Sequence, residues 1–412
     1  EYDGGDTLSF GANISTVSVA IDEDDTDVDE IDMAFAGNNT LNITGDDSTD
    51  DTLALVLDQA ATATSVAINS TAAVQYDASA DTLDDDVNLT FAGSTGVVTF
   101  TVAAADLATA DSTFVGGSGS TDNMIVDLVA QTTAATVSGF ETLTILDSDE
   151  ATVDMDVFTG VATIDLQDVD TDALTISNVN GETVELSTGV GAADGEIVID
   201  SDTDGGGTLT ASVLLSIADT DNDLDVTDFA SLNVEADEAQ DALLLALSDD
   251  DLDTVTFTGD SNIVLSATAA VTVAETVIIS NAGNFDSTDN GAFAADANIT
   301  LHSDNVDVDL DLAAGTSQTI TFGTTLDTSD VVTIAGFSGG NGVAGDVIDL
   351  SALGLSGVSD LAFTDSSIDA SNAADDSVTI TSSEFDGSIV LVGDDTTTVV
   401  TADLVASVNF IF

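Results

Sequence analysis

The sequence predicts an all-β fold made of short stacked strands with few short helices. Runs of Val, Ile, Leu, Thr and Phe alternate with polar residues at a period of two, the pattern of a strand with one buried face. Proline is absent, and Gly, Asp, Asn and Ser occupy the intervals between the runs, as expected of turns. Helical periodicity is scarce, and residues 103–110 and 239–247 are the best short candidates. The clearest strand patterns lie at residues 142–145, 162–166, 173–176, 183–186, 306–312 and 377–381.

The arrangement of these runs favours a β-solenoid, of the parallel β-helix or β-roll type, and leaves a chain of β-sandwich modules as the alternative. A loose repeat of strand, Phe-x-Gly turn and strand occurs at residues 33–37, 89–93 and 255–259, with unequal spacing between the copies. Between residues 142 and 186 the strands are separated by loops of variable length. Stacked coils accept such loops because insertions leave the stacked strands unchanged.

Glycine-rich points at residues 116–120, 205–207 and 339–342 are candidate boundaries between regions. They predict an N-terminal β module at 1–115, two β repeat regions at 116–204 and 205–335, and a C-terminal β region at 336–412. Cysteine is absent, so no disulfide holds these regions. No apolar run approaches the roughly 18 residues that a membrane helix needs, and we expect no membrane insertion.

The charge is extreme and of one sign. The chain has 78 acidic residues, 66 of them Asp, and no Lys or Arg, which gives a formal net charge of -78. The hydrophobic fraction is 43% and the mean hydropathy is +0.29, enough apolar surface to bury a core, unlike a disordered acidic chain. Self-repulsion opposes folding, so divalent cations, high salt or an acid habitat must neutralise the chain. Nucleic acids and anionic membranes are excluded as ordinary partners, because Lys and Arg bind them.

Several Asp clusters have the alternation expected of calcium ligands. The segment 200–205 places Asp200, Asp202 and Asp204 before a glycine, an oxygen-ligand loop with a sharp turn. Ala211 stands where an EF-hand has its bidentate Glu, so the loop is partial. The same alternation, with less turn chemistry, occurs at Asp219, Asp221, Asp223 and Asp225 and at Asp168, Asp170 and Asp172. Solvated Asp turns are the alternative for each cluster.

A different pattern occurs at Asp307, Asp309 and Asp311. On a strand these three carboxylates project from one face, while the Val and Leu residues between them project from the other. In a solenoid the next strand lies about 4.8 Å away. Carboxylates on two adjacent strands could then share one calcium ion, with metal–oxygen distances near 2.4 Å. An ordinary hydrated face is the alternative.

The residues needed for catalysis are scarce, and we expect no enzyme. His302 is the sole histidine, and strand alternation places it on a polar face. No Cys nucleophile exists, and a Ser–His–Asp set has one histidine to use. Paired carboxylates can hydrolyse glycosides, but Trp is absent, and the Tyr residues are Tyr2 and Tyr76 alone. Lys and Arg, the usual base and charge clamp of β-solenoid polysaccharide lyases, are absent as well.

The C-terminal part of the chain resembles RTX-type proteins exported by type I secretion. Residues 334–351 contain a Gly-Asp-x-Ile-Asp-Leu-Ser element, followed by strand patterns at 361–363, 378–380 and 389–393 and an apolar end at 409–412. Residues 116–126, 137–145 and 158–166 are similar to repeats of RTX-type surface-layer proteins and adhesins. The resemblance implies calcium binding, with Asp346 and Asp349 as further candidate ligands, a β-roll tail and an uncleaved secretion signal. The tandem Gly-Gly-x-Gly-x-Asp array of that family is missing, since at residues 116 and 339 the Asp is displaced.

Together these patterns predict a secreted, extracellular structural protein of the bacterial cell surface. It would assemble with copies of itself into a surface layer or filament through calcium-bridged acidic faces, with cell-surface polysaccharide as a further partner. A calcium-dependent adhesin fragment that binds a host or polymer ligand is the alternative. An acid- or salt-adapted secreted protein, in which the Asp content serves no specific ion, is a third interpretation.

Overall fold

In a computed structural model, most of the described residues lie in strands, and the chain divides into two compact units, Glu1–Val190 (unit 1) and Gly191–Phe412 (unit 2). The structure describes residues 8–20, 29–44, 52–59, 64–79, 87–129, 133–149, 151–167, 174–186, 197–201, 208–213, 224–236, 252–260, 262–264, 275–287, 293, 296–302, 307–312, 317–323, 326, 330–337, 345–366, 377–392 and 410–412.

Unit 1 is built from short strands, one short helix, α1 (Ala104–Leu107), and one 3₁₀ turn (Met155–Val157) in its described part. Its described strands are, in chain order, β1 (Leu8–Phe10), β2 (Thr16–Ala20), β3 (Asp29–Phe35), β4 (Asn39–Thr44), β5 (Thr52–Gln59), β6 (Ser65–Ser70), β7 (Ala73–Ala78), β8 (Asn88–Thr90), β9 (Val98–Ala103), β10 (Thr113–Val115), β11 (Asn123–Val129), β12 (Thr136–Ser138), β13 (Thr142–Asp149), β14 (Ala151–Asp154), β15 (Phe158–Thr159), β16 (Thr163–Leu166), β17 (Leu174–Val179) and β18 (Thr183–Leu186).

Two parallel stacks form unit 1. The first stack runs β1-β3-β5-β7-β9-β11-β13-β16-β18 and the second runs β2-β4-β6-β8-β10-β12-β15, while β14 pairs with β17. All of these pairs are parallel. Each strand therefore pairs with the strand one coil later, and the chain winds as a solenoid. The predicted β-solenoid is confirmed.

Unit 2 has the same construction, with 3₁₀ turns at Ser351–Leu353 and Val358–Asp360. Its described strands are, in chain order, β19 (Ile197–Ser201), β20 (Thr208–Val213), β21 (Leu224–Thr227), β22 (Ser231–Ala236), β23 (Thr254–Thr258), β24 (Ile263–Val264), β25 (Thr276–Ile279), β26 (Phe285–Asp286), β27 (Asn298–Leu301), β28 (Asp307–Asp311), β29 (Thr319–Phe322), β30 (Val331–Ala335), β31 (Val347–Asp349), β32 (Leu361–Ser366), β33 (Ser377–Ser382), β34 (Ser388–Val392) and β35 (Phe410–Ile411).

The strands of unit 2 also stack in parallel until the C-terminal part. The first stack runs β20-β22-β23-β25-β27-β29-β31-β35, and the second begins β24-β26-β28-β30-β34, while β19 pairs with β21. From β34 the second stack continues antiparallel through β33 to β32. The reason is the short connection at residues 383–387, because a parallel crossover needs a dozen or more residues. This antiparallel meander stands where the family resemblance implied a β-roll tail.

Strand alternation builds the core between the two stacks of each unit. In β9, Val98, Phe100 and Val102 are buried while the residues between them are half-buried. Because the stacked strands are in register, inward side chains lie on inward side chains, for example Tyr76 opposite Phe100. Phe91, which follows β8, packs against both rings, with centroids 6.4 and 5.6 Å away. Aromatic pairs of this kind contribute about 0.5–1.5 kcal/mol each beyond their buried area.

Side-chain ladders between coils explain one copy of the Phe-x-Gly repeat. Asn69 Nδ2 donates a 2.9 Å hydrogen bond to Asn42 Oδ1 on the neighbouring strand. On its other side, Asn69 lies against Gly93, where an added Cβ would stand 2.0 Å from Asn69 Oδ1. Phe91 is fully buried two residues earlier. The repeat at this coil thus combines a core aromatic residue with a glycine that the asparagine ladder requires.

Helical segments are few, as predicted. The candidate at 103–110 contains α1, whereas the candidate at 239–247 lies outside the described residues. Within the part of the chain that the structure describes, no helix has the length and apolarity needed to span a membrane.

Candidate functional site

An acidic groove lies on the surface of unit 2. It has a volume of about 470 Å³ and lies over the short strands β24, β26, β28 and β30. Its lining is mostly carboxylate and amide: Asn262, Asn284, Phe285, Asp286, Asp307, Asp309, Val331 and Thr333.

Strand β28 supplies two of the groove carboxylates through its alternation. Val308 and Leu310 are buried in the core, whereas Asp307, Asp309 and Asp311 are half-buried on the outer face. The predicted placement of these three carboxylates on one strand face is confirmed. The aliphatic residues anchor the strand, so the position of the carboxylates is fixed by the core beneath them.

The register of β26 and β28 brings a third carboxylate to the groove. Asp286 lies directly opposite Asp309, and neighbouring strands are about 4.8 Å apart. Two carboxylates on adjacent coils therefore stand side by side. The sequence patterns missed Asp286, since β26 has two residues and shows no alternation of its own.

Amide groups extend this row of oxygen ligands. The Asn284 N–H donates a 2.9 Å hydrogen bond to Asn262 Oδ1, and Asn284 immediately precedes the strand that holds Asp286. Phe285 points the other way and is buried, with its ring centroid 5.1 Å from that of Phe257. The groove thus presents carboxylate and amide oxygens, the ligands that calcium prefers.

Calcium takes 6 to 8 oxygen ligands at about 2.3–2.6 Å, more than Asp286 and Asp309 can supply. Among the described residues, no group of three or more His, Asp or Glu side chains is arranged to hold a metal ion. A cation at the Asp286–Asp309 pair would take its remaining ligands from water or from another molecule.

A second acid pair lies on the outer face of unit 1. Asp165 on β16 is opposite Glu185 on β18. Burial raises the pKa of the Glu185 carboxyl, and the neighbouring Asp165 carboxylate raises it further. Gln167 Nε2 donates a 2.6 Å hydrogen bond to Asp165 Oδ2. Here too the stacking of coils, rather than a local motif, brings acid next to acid.

The glycine-rich segment 116–121 ends in a fully buried carboxylate, Asp122. Asp122 Oδ1 accepts a 2.8 Å hydrogen bond from the N–H of Val98, the first residue of β9. Glu141, which precedes β13, accepts a 2.9 Å hydrogen bond from the Asp122 N–H through Oε2. In the sequence, the one signal for this buried position was the Asp that follows the glycines at a displaced position, Asp122 itself.

Asp346 has the same local role in unit 2. It is fully buried directly before β31, and its Oδ1 accepts a 2.9 Å hydrogen bond from the N–H of Gln318 on the preceding coil. Asp349 is half-buried at the end of β31, where its Oδ1 accepts a 2.9 Å hydrogen bond from the Ser351 N–H. These two carboxylates cap backbone N–H groups at opposite ends of a short strand, so their joint role as calcium ligands stays a prediction.

The remaining predicted ligands are spread along the chain. Asp200 is half-buried on β19, opposite Thr227, and Asp225 on β21 is opposite Val198. His302 follows β27 and is exposed, as expected. The other predicted ligands lie outside the described residues: Asp168, Asp170, Asp172, Asp202, Asp204, Asp219, Asp221 and Asp223.

Comparison with known proteins finds no matching family model, no matching curated protein and no matching solved structure. The class that the fold defines is a β-solenoid with in-register acid pairs.

Proposed function

We propose that this chain is a structural protein that assembles with copies of itself through calcium ions bound between acidic faces. The observation that supports the proposal most directly is the pairing of Asp286 with Asp309 on adjacent coils. This pair supplies part of a calcium coordination sphere and leaves the rest for a second molecule. An acidic groove on a neighbouring copy has oxygen ligands of the same kind.

Charge gives the physical reason for a cation at the interface. With 78 acidic residues and no Lys or Arg, two copies repel each other wherever their surfaces approach. A divalent cation between two carboxylate pairs replaces this repulsion by attraction and adds directional coordination. Monovalent salt screens the repulsion over a distance of about 10 Å at 0.1 M, but it supplies no shared ligand sphere.

The proposed setting is the exterior of a bacterial cell, as a surface layer or an extracellular filament. Support comes from the resemblance of residues 334–412 to the secretion end of RTX-type proteins, and of residues 116–166 to surface-layer repeats. A stacked solenoid suits such a role because its outer faces are long and regular.

A non-catalytic role is part of the proposal. The carboxyl spacing alone would allow glycoside hydrolysis, because retaining glycosidases place two carboxyl groups about 5 Å apart, a separation close to that of neighbouring strands. However, a sugar ring also needs an aromatic platform, and the aromatic residue of the groove, Phe285, is buried beneath it.

An adhesin that binds a polymer ligand is the second candidate. The row of Asn262, Asn284 and Asp286 oxygens and amides favours it, because such groups hydrogen-bond hydroxyl-rich polymers. Electron microscopy of the purified protein with calcium separates the candidates, since ordered arrays or fibres are expected of the first and single particles of the second.

The test is a comparison of the protein in about 1 mM calcium, in EGTA, and in EGTA with sodium chloride at matched ionic strength. Light scattering reports assembly, and circular dichroism reports the melting temperature of the β signal. We expect assembly and a higher melting temperature in calcium alone. Full assembly in EGTA at neutral pH and moderate salt would contradict the proposal.

A further inference from the structure

Asp122 in unit 1 is enclosed from solvent and incompletely paired. Its side chain is 0% exposed, and its Oδ2 atom is buried without a hydrogen-bond partner. The other oxygen, Oδ1, accepts the hydrogen bond from the Val98 N–H. Buried polar side-chain atoms nearly always have a partner, and an ionised oxygen without one is strongly disfavoured.

Two glycines produce this enclosure. A Cβ atom added to Gly117 would lie 2.7 Å from Asp122 Oδ2, and one added to Gly119 would lie 2.9 Å from Asp122 Oδ1. The backbone of the glycine-rich segment therefore folds directly over the carboxyl group. Side chains at either position would hold the backbone away and admit water.

The charged group that faces Asp122 is negative. Glu141 on the following coil is the register neighbour of Asp122, because Thr142 lies opposite Asn123, and its Oε2 accepts the Asp122 N–H. On the preceding coil, Val98 and residues 91–97 contain no titratable side chain, and neither do residues 116–121. No Lys or Arg exists in the chain to supply a positive charge.

We propose that Asp122 is a proton-binding residue of unit 1: the folded coil holds it as a neutral acid, and its ionisation destabilises the joint between β9, β11 and β13. On folding, the Asp122 carboxylate takes up one proton from solvent. The proton makes Oδ2 a hydroxyl and removes the repulsion between Asp122 and Glu141. A proton is thus the counter-charge of this enclosed acid.

The balance of local effects agrees with this geometry. Burial raises the pKa of the Asp122 carboxyl, the Val98 N–H lowers it, and Glu141 raises it. The nearby Gly117 N–H, which makes no hydrogen bond to Oδ2, also lowers it, and the result is a raised pKa. A raised folded-state pKa means that the stabilisation is fully present below the unfolded-state pKa and is lost as pH rises through the folded-state pKa. At pH values above both the folded-state and the unfolded-state pKa, each unit by which the two pKa values differ lowers the folding equilibrium constant about tenfold.

The test compares the wild type with Asp122→Asn, an uncharged side chain of the same shape. Asp127→Asn is the matched control, because Asp127 is exposed on β11, the strand that begins directly after Asp122. Melting temperatures are measured from about pH 3 to about pH 8 in EGTA at constant ionic strength. As pH rises, we expect the melting temperature of Asp122→Asn to increase relative to that of the wild type. This increase should be larger than the one seen for Asp127→Asn. A difference that is constant with pH, or that favours the wild type at high pH, overturns the proposal.

Infrared spectroscopy provides a second readout that does not depend on how well Asn fits the site. Glu185→Gln is used as the background, because Glu185 is the other carboxyl of the described residues with a raised pKa. In this variant we expect the carbonyl stretch of a protonated carboxyl to persist above the pH range where exposed carboxyls ionise. Disappearance of that band together with the exposed carboxyls overturns the proposal.

Discussion

The groove on unit 2 and the enclosed site in unit 1 are built by the same stacking, yet they expose their acids differently. In the groove, Asp286 and Asp309 face each other across adjacent strands and reach solvent. In unit 1, Asp122 and Glu141 are also register neighbours, but glycines cover Asp122 completely. An accessible pair can recruit a hydrated divalent cation, whereas a fully covered oxygen has room for a proton. In both proposals, solvent access, rather than the number of carboxylates, decides which counter-charge a site would use.

The largest expected effect comes from Gly116, at the start of the glycine-rich segment of unit 1, where the backbone packs closely against the next coil. In Gly116→Ala, the new Cβ would lie 1.9 Å from the carbonyl oxygen of Gly139, a backbone atom that cannot rotate away. We expect the free energy of unfolding to fall by about 3 kcal/mol, measured by urea denaturation. Gly11→Ala is the control, because an added Cβ there meets nothing within 4 Å. Equal losses in the two variants would show that Gly116 is not tightly packed against the next coil.

A smaller effect is expected from removing the accessible pair. In the double variant Asp286→Asn and Asp309→Asn, calcium loses two charged ligands while the strand shapes are kept. We expect the calcium concentration at half-maximal assembly to rise about tenfold, equivalent to about 1.4 kcal/mol, measured by light scattering. Asp111→Asn with Asp127→Asn removes the same charge from exposed positions of unit 1 and should leave this concentration nearly unchanged. If the calcium concentration at half-maximal assembly rose equally in both double variants, calcium would act only as a general counter-ion.

The pair Asp165–Glu185 is intermediate between the two sites, because both acids are half-buried. Since the pKa of Glu185 is raised, Glu185→Gln should stabilise the protein at neutral pH and lose this advantage in acid. Partial exposure screens the repulsion, so we expect a gain below about 1 kcal/mol in chemical denaturation. Glu235→Gln is the control, because Glu235 lies opposite Ser212 and Thr258 rather than an acid. If Glu185→Gln stabilised the protein equally at acid pH, repulsion between Asp165 and Glu185 would not be the cause.

The smallest effect is expected at His302, the one basic side chain in the sequence. It is exposed after β27, so His302→Gln should change the free energy of unfolding by less than about 0.5 kcal/mol. Calcium-dependent assembly should be unaltered in the same light-scattering assay. A marked loss of assembly would show that His302 belongs to an assembly contact that the groove does not explain.

Several features follow from short stretches of sequence. The alternation at residues 307–311 predicts which side chains face the core, because the side-chain period of a strand is two. The same rule places His302 on an exposed position. Frequent turns and short apolar runs with period-two alternation predict short strands, and their arrangement favours stacked coils over sandwich modules. Composition alone establishes that every carboxylate must find a counter-charge other than Lys or Arg.

The pairing of particular acids depends instead on register between distant segments. Asp286 meets Asp309, and Asp165 meets Glu185, because coils of unequal length align their apolar residues in a common core. No local pattern contains that alignment, which is why Asp286 and Glu185 escape a search for Asp motifs. Burial of Asp122 likewise depends on glycines that pack across coils. Local sequence thus sets strands, faces and charge, whereas the stacking of coils in three dimensions sets neighbours and solvent access, and therefore the chemistry of each acid.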